Sequence, residues 1–344
     1  MMASSTESGI SFQNANKYYN KQGEQVMRMK RIAIVFISIL VLILAGCSNT
    51  KALESARAAV DAYNAAVGEY NTKAKAYNDA ASQVNNKNSE LQGVVSGAQD
   101  VINKGEEPFD ENTLSELKTA MSDASSVKVS DVEILEPLEE MSVSEDMKSK
   151  ELKEIEEKAV AEIENVKAMT VPSIPEVPDY TETTEALKEK LKAYENSIQG
   201  MKQVTAPTDE FVMERLQRIE TITEMDAVTE DHDPNGKLNK QGGYIGCIYF
   251  TDTQVDRSQL YIEDGKDNVI DVGTDGGGAI EIFKTVEDAT QRDTYLGAFD
   301  GGMLASGSHY VVGTCLVRTS NELNGTQQLE LTDQIRQALI AVDE

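Results

Sequence analysis

Apolar residues recur every seven positions from Leu53: Leu53, Val60, Val67, Ala74, Ala81, Asn88, Val95 and Ile102 form one column, with a single polar break at Asn88. A second column lies three residues on, at Ala56, Tyr63, Tyr70, Tyr77, Val84, Leu91 and Ala98. Columns three and seven apart fall on one stripe of an α-helix, so the spacing predicts a long heptad-seamed helix reaching about 75 Å at 1.5 Å per residue. Ala62-Tyr63-Asn64, Tyr70-Asn71 and Ala76-Tyr77-Asn78 recur in phase as a small internal repeat, whose tyrosines read as core packing. Asn88 on the seam reads as a register-fixing polar residue. Gly93 and Gly97 weaken the last turns, and Gly105-Glu106-Glu107-Pro108 ends them.

Later segments carry matching stripes: Leu114, Leu117 and Met121; then Leu152, Ile155, Ala159, Ile163 and Val166; then Leu187, Leu191, Tyr194, Ile198 and Met201. The chain folding back on itself as an antiparallel bundle is one way to cover the long seam, and a parallel homodimer is the other. Between these stripes lie two connectors, an acidic one over 127–145 and a proline-rich one over 170–179. The second, with Pro172, Pro175 and Pro178, reads as a stiff extended spacer.

Composition changes near Pro207, where glycine becomes frequent and β-branched runs appear. Strands are expected over 225–229, 243–251, 279–284 and 309–319, with helices opening at Thr208, at Thr285 with Asp288 three residues on, and over 324–342. Strand 279–284, helix and strand 309–319 read as a right-handed parallel β-α-β unit. The fold class expected is therefore α+β and multidomain: a long helical coiled-coil or bundle arm followed by a two-layer α/β sandwich. Its parts are an N-terminal extension over 1–28, disordered or preceding the true start; residues 29–46, considered below; an arm over 47–126; helical return segments over 127–206; and a C-terminal domain over 207–344.

Residues 29–46 explain where such an arm would begin. Met29-Lys30-Arg31 precedes an apolar run, Ile32 to Leu44, that is short for a bilayer crossing, which needs about twenty residues. The run closes on Leu44-Ala45-Gly46-Cys47. This layout resembles the precursor of a bacterial lipoprotein. The resemblance implies a signal peptide over 29–46, diacylglycerol on the Cys47 thiol, and Cys47 as the first residue of the mature chain, anchored on the extracytoplasmic face of the cell membrane. An uncleaved signal anchor is the competing reading. The C-terminal stretches Gly242-Gly243-Tyr244, Gly273-Thr274-Asp275 and Val312-Gly313-Thr314 are similar to domains of uncharacterised Gram-positive surface lipoproteins, a resemblance that implies location and boundaries but no activity.

Charge narrows the partners. The chain carries −27, and residues 1–46 hold five basic against two acidic side chains, which leaves −30 on the remainder. Such a balance repels nucleic acid and anionic lipid headgroups. The membrane is reached through the lipid, and the arm offers a surface for self-association or a protein partner.

Chemical motifs are few: no HExxH, CxxC pair, GxSxG or phosphate loop with its lysine, and two histidines, His232 and His309. No enzyme and no cofactor are expected. Asp231, Asp233 and Asn235, alternating before Gly236, resemble the first half of a weak calcium loop, although Gly242 stands where the twelfth-position Glu belongs. A Pro-Asn-Gly turn explains the same letters. Cys247 and Cys315 fall in two expected strands, either as a disulfide or as two small buried hydrophobes. The glycines over 273–278 lead into a strand, not a helix, and read as a mobile loop beside a binding face. Adjacent Ser308 and His309 point to opposite faces of their strand, so they do not pair as nucleophile and base. The reading is a lipid-anchored structural or interaction protein presenting a C-terminal binding module. The alternative is an envelope solute-binding protein or hydrolase with its site in that domain.

Overall fold

The computed structural model describes residues 49–302 and 307–343; Cys47 and its preceding segment lie outside them. The protein is a mixed α+β chain, and α1 (Asn49–Asn103), α2 (Asn112–Val127), α3 (Ser149–Ala168) and α4 (Thr181–Gln203) precede its sheet. Among the described residues no helix is long and apolar enough to cross a membrane. The chain divides into two compact units, one of residues up to Tyr63 with Met141–Glu162, the other of Asn64–Glu140 with Ile163–Glu344.

In the first unit Ala56, Val60, Leu152 and Ala159 are buried. Asn49 Nδ2 donates to Met147 O at 3.1 Å and its Oδ1 accepts from Ser149 Oγ at 2.7 Å, while Ser55 Oγ donates to Glu156 at 2.6 Å.

In the second unit most positions of the two heptad columns of α1 are buried, namely Val67, Ala74, Tyr77, Ala81, Val84, Asn88, Leu91 and Ala98, with Tyr70 and Val95 half-buried. Part of what covers them is not a helix. Residues 128–140, expected to be a mere connector, run extended beside α1 and are clamped to it at every third residue. Asn71 Nδ2 donates to Leu138 O and its Oδ1 accepts from Leu138 N, both at 2.8 Å. Asn78 holds Leu135 in the same way at 2.7 and 2.8 Å, and Asn85 holds Val132 at 2.8 Å twice. A side-chain amide carries one carbonyl and one N–H₂, so it can pair with a residue's N–H and C=O as a neighbouring strand would. Seven helical residues advance about 10.5 Å and three extended residues about 9–10 Å, which is why a heptad of asparagines meets a triplet of backbone sites. The strap's side chains follow the same period, with Val132, Leu135 and Leu138 half-buried and the residues between exposed.

Asn88 ends this ladder. It is 1 % exposed and donates to Val129 O at 3.0 Å and to Asp131 Oδ1 at 2.7 Å, while its Oδ1 accepts from the Tyr180 hydroxyl at 2.8 Å. Val129 N donates to the same hydroxyl at 2.9 Å. Beyond this point α1, α2 and α4 share one apolar cluster, in which Leu91, Ala98, Leu117, Met121, Leu187, Tyr194 and Ile198 are buried.

The last part of the chain builds an antiparallel five-stranded sheet in the order β1-β2-β3-β5-β4, from β1 (Ile222–Ala227), β2 (Gly246–Asp252), β3 (Gly277–Ile282), β4 (His309–Val312) and β5 (Cys315–Thr319). Helices α5 (Asp209–Leu216), α6 (Val269–Val272), α7 (Val286–Gly297) and α8 (Gly325–Ile340) pack around it. Their starts follow the expected chemistry: Thr208 accepts from Phe211 N, Thr285 from Asp288 N, and Asn324 with Gln327 forms a reciprocal capping box.

Two expectations fail here. The strand expected over 309–319 is broken by Gly313, whose φ of +60° fits the first central position of a type II′ hairpin turn, so β5 runs antiparallel to β3 and no adjacent parallel β-α-β pair forms. The sheet also has two covered faces, not one. Ile248, Phe250, Ile280 and Val317 point into a cluster with Val212, Leu331 and Ile335, whereas Cys247, Tyr249, Ala279 and Leu316 point into another with Ile270, Ala289 and Leu296. Strands β2, β3 and β5 are therefore buried along their whole length, and the layers number three.

The β4–β5 turn also meets the end of α4. Thr314 N donates to Val204 O at 2.8 Å, and Ala206 N to Thr314 Oγ1 at 2.7 Å. A Cβ on Gly313 would lie 2.4 Å from Val204 O. Gly313→Ala is expected to cost about 1–3 kcal/mol, because it combines a left-handed φ with a backbone clash; urea unfolding with an unchanged midpoint would refute this.

Candidate functional site

Three charged side chains meet on the α7 side of the sheet. Glu281 sits at an inward position of β3, opposite Leu316 of β5, so Arg318 two residues on is its diagonal neighbour on the same face. Arg318 Nη1 donates to Glu281 Oε1 at 2.8 Å, and Arg292 of α7 grips the same carboxylate side-on, Nε to Oε2 at 2.8 Å and Nη2 to Oε1 at 3.1 Å. The side chain of Glu281 is 1 % exposed, that of Arg318 8 % and that of Arg292 27 %. Burial disfavours charge on the Arg292 guanidinium, but the hydrogen bonds and charge of Glu281 outweigh it and raise its pKa.

Above this group opens a cleft of about 370 Å³, lined by Lys237, Tyr244, Phe283, Asp288, Arg292 and Tyr295 among others. The Arg292 guanidinium lies 5.5 Å from the centre of the Tyr295 ring, within cation–π range. One wall is the loop that the sequence offered as a calcium half-site. Asp233 Oδ1 accepts from Asn235 N at 3.1 Å and from the Tyr244 hydroxyl, and Oδ2 from Lys237 N and Leu238 N at 2.6 and 2.7 Å. Burial raises the Asp233 carboxyl, yet these four donors prevail and hold it below the ordinary carboxylate value. Asn235 Nδ2 donates to the Tyr249 hydroxyl at 2.8 Å, and Gly236 takes a φ of +59°. Donors aimed at Asp233 do not fit a cation, and Asp231 is exposed with no share in the arrangement. The loop is a turn stapled by its own aspartate, and the calcium expectation at Asp231, Asp233 and Asn235 is not supported. Among the described residues no cluster of His, Cys, Asp or Glu is placed to hold a metal ion.

Of the two readings of Cys247 and Cys315, the structure agrees with two buried hydrophobes and not with a disulfide. Cys247 and Cys315 are both free and buried. Strand β3 runs between β2 and β5, which separates the two backbones by about 9–10 Å, beyond the reach of a disulfide. Their side chains also enter opposite clusters. Burial pushes the Cys315 thiol up to about 12 and that of Cys247 well above its usual value, so both are small buried hydrophobes rather than reactive thiols.

Ser308 and His309 part company as expected. Ser308 Oγ bonds Thr319 Oγ1 at 2.6 Å, while His309 Nδ1 lies 2.6 Å from Asp293 Oδ1 and its Nε2 3.3 Å from Asp300. His232 pairs instead with Asp271 at 2.8 Å. The glycine run is no mobile loop: it forms a short helical turn and the start of β3, where a Cβ on Gly277 or Gly278 would meet backbone atoms of Asp252 or Arg318 at 2.5 and 2.3 Å.

No family model matches this chain, and no curated protein and no solved structure matches it.

Lys237, Glu281, Arg292 and Arg318 were not singled out from sequence. Glu281 interrupts the apolar run Ala279-Ile280-Glu281-Ile282-Phe283, and Arg318 closes the run Cys315-Leu316-Val317. In strands covered on both faces such a charge has to be paired, and that was the available signal.

Proposed function

We propose that this is a lipid-anchored protein of the extracytoplasmic face of a bacterial cell membrane, in which a helical arm holds a C-terminal binding module away from the lipid. The observation that carries it is Leu44-Ala45-Gly46-Cys47 closing a short apolar run behind Met29-Lys30-Arg31. Two or three acyl chains, at about 0.8 kcal/mol per buried methylene, give a lasting anchor where one is marginal. The arm reading, a coiled-coil or bundle stalk over 47–126 with its return segments, draws support from α1, whose 55 residues measure about 80 Å. A module that binds rather than catalyses is favoured by the separation of Ser308 from His309 and by the inert thiols. The cleft beside Arg292 favours a solute-binding variant of the same reading.

Intact-mass analysis of protein extracted from bacterial membranes tests the anchor. The expected species begins at Cys47 and carries acyl mass, and Cys47→Ala shifts the protein from the membrane to the soluble fraction or holds it as uncleaved precursor. An unacylated chain that keeps the residues before Cys47 would refute it.

A further inference from the structure

Glu281 uses one edge of Arg292, the Nε–Nη2 edge, in a two-point grip. The guanidinium has a second fork at its end, between Nη1 and Nη2, and among the described residues no further acceptor meets it. Its position is fixed three ways: by Glu281, by Arg318 donating to the Glu281 Oε1 that Arg292 Nη2 also meets, at 2.8 Å, and by the Tyr295 ring. A planar donor fork held this way matches a carboxylate or phosphate with little ordering cost on binding.

Charge points the same way. Arg292 brings a cation to the cleft in a chain of −27. Lys237 adds a second cation to the cleft wall. Asp288 is the opposing charge there, and its Oδ2 already accepts from Thr285 Oγ1 at 2.8 Å. The walls beside the fork are aromatic, Tyr295 half-exposed and Tyr244 and Phe283 buried.

We infer that the cleft between α7 and the 237–244 loop binds a small organic anion, its carboxylate or phosphate seated on the open fork of Arg292 and its flat apolar body against Tyr295. This rests on reading the C-terminal domain as a binding module and not on the lipid anchor.

Calorimetric titration of the full chain with 4-hydroxybenzoate, 4-hydroxybenzamide and phenyl phosphate tests it. The two anions are expected to bind at least tenfold more tightly than the neutral amide, since a hydrogen bond to a charged group is worth about 1.5–3 kcal/mol. Arg292→Gln should remove that preference. Because this change also releases a buried carboxylate and could unfold the domain, Lys237→Gln and Tyr295→Ala are measured beside it. Lys237→Gln alters the cleft wall alone and should weaken the anions roughly three- to tenfold at an unchanged melting temperature, while Tyr295→Ala also removes the ring that steadies Arg292 and should weaken them at least as much. Equal binding of amide and anions, indifferent to all three substitutions, would overturn the anion site while leaving a binding module in place. No saturable binding of either anion would overturn it as well.

Discussion

Replacing Glu281 by alanine is expected to destabilise the protein by about 3–5 kcal/mol, because it strands two arginines against a closed sheet face. The asymmetry between breaking a buried pair and removing it whole makes the test sharp. Arg318, near the end of β5, is only 8 % exposed, whereas Arg292, at 27 %, can turn outward from α7. The double change Glu281→Leu with Arg318→Met should therefore recover most of the loss, since two well-packed apolar side chains replace a charged pair at little cost. Urea unfolding of the two single variants and the double variant gives the coupling directly. Additive losses in the double variant would show that the three charges do not act as a unit. They would also remove the argument that Glu281 and Arg318 exist to hold Arg292 still.

Which parts of this architecture the sequence disclosed follows from which interactions are periodic. Most of the two columns from Val60 to Ala98 is buried because a heptad maps onto one helix stripe whatever covers it, and the closing helix behind Asn324 starts where its capping chemistry stands. What covers the seam was not legible, because the strap over 128–140 has no helical or strand period. Its signal is a period of three at Val129, Val132, Leu135 and Leu138, and it makes sense only beside the asparagines that follow the Tyr70 and Tyr77 column. Strand partners were equally hidden. Cys247 and Cys315 both lie in strands, but that β3 runs between them is a fact of topology, and one glycine at 313 decides whether residues 309–319 are one strand or a hairpin. The cleft depends on Glu281 and Arg318 sharing a face, which no spacing along the chain encodes.

The asparagine ladder itself makes the last strong prediction. Alanine is a better helix former than asparagine by several tenths of a kcal/mol, so Asn71→Ala, Asn78→Ala and Asn85→Ala would each stabilise α1 if the side chains merely decorated its surface. If they clamp the strap, each change instead forfeits two hydrogen bonds at about 0.5–1.5 kcal/mol apiece, and the sign reverses. The triple variant is expected to lose roughly 3–5 kcal/mol from the local stability of residues 128–140. Amide hydrogen exchange reads this residue by residue. In the native protein the amides of Val129, Val132, Leu135 and Leu138, which donate to Tyr180 or to an asparagine, should be protected. Those of Glu133, Ile134 and Glu136 between them should exchange fast. In the triple variant protection at Val132, Leu135 and Leu138 should vanish, while Val129, still held by Tyr180 beside Asn88, keeps part of its own. A segment that exchanges uniformly in the native protein, or a triple variant more stable than its parent, would mean that the strap is not held by these side chains. The cover of α1 would then have to come from the helices packed on it alone.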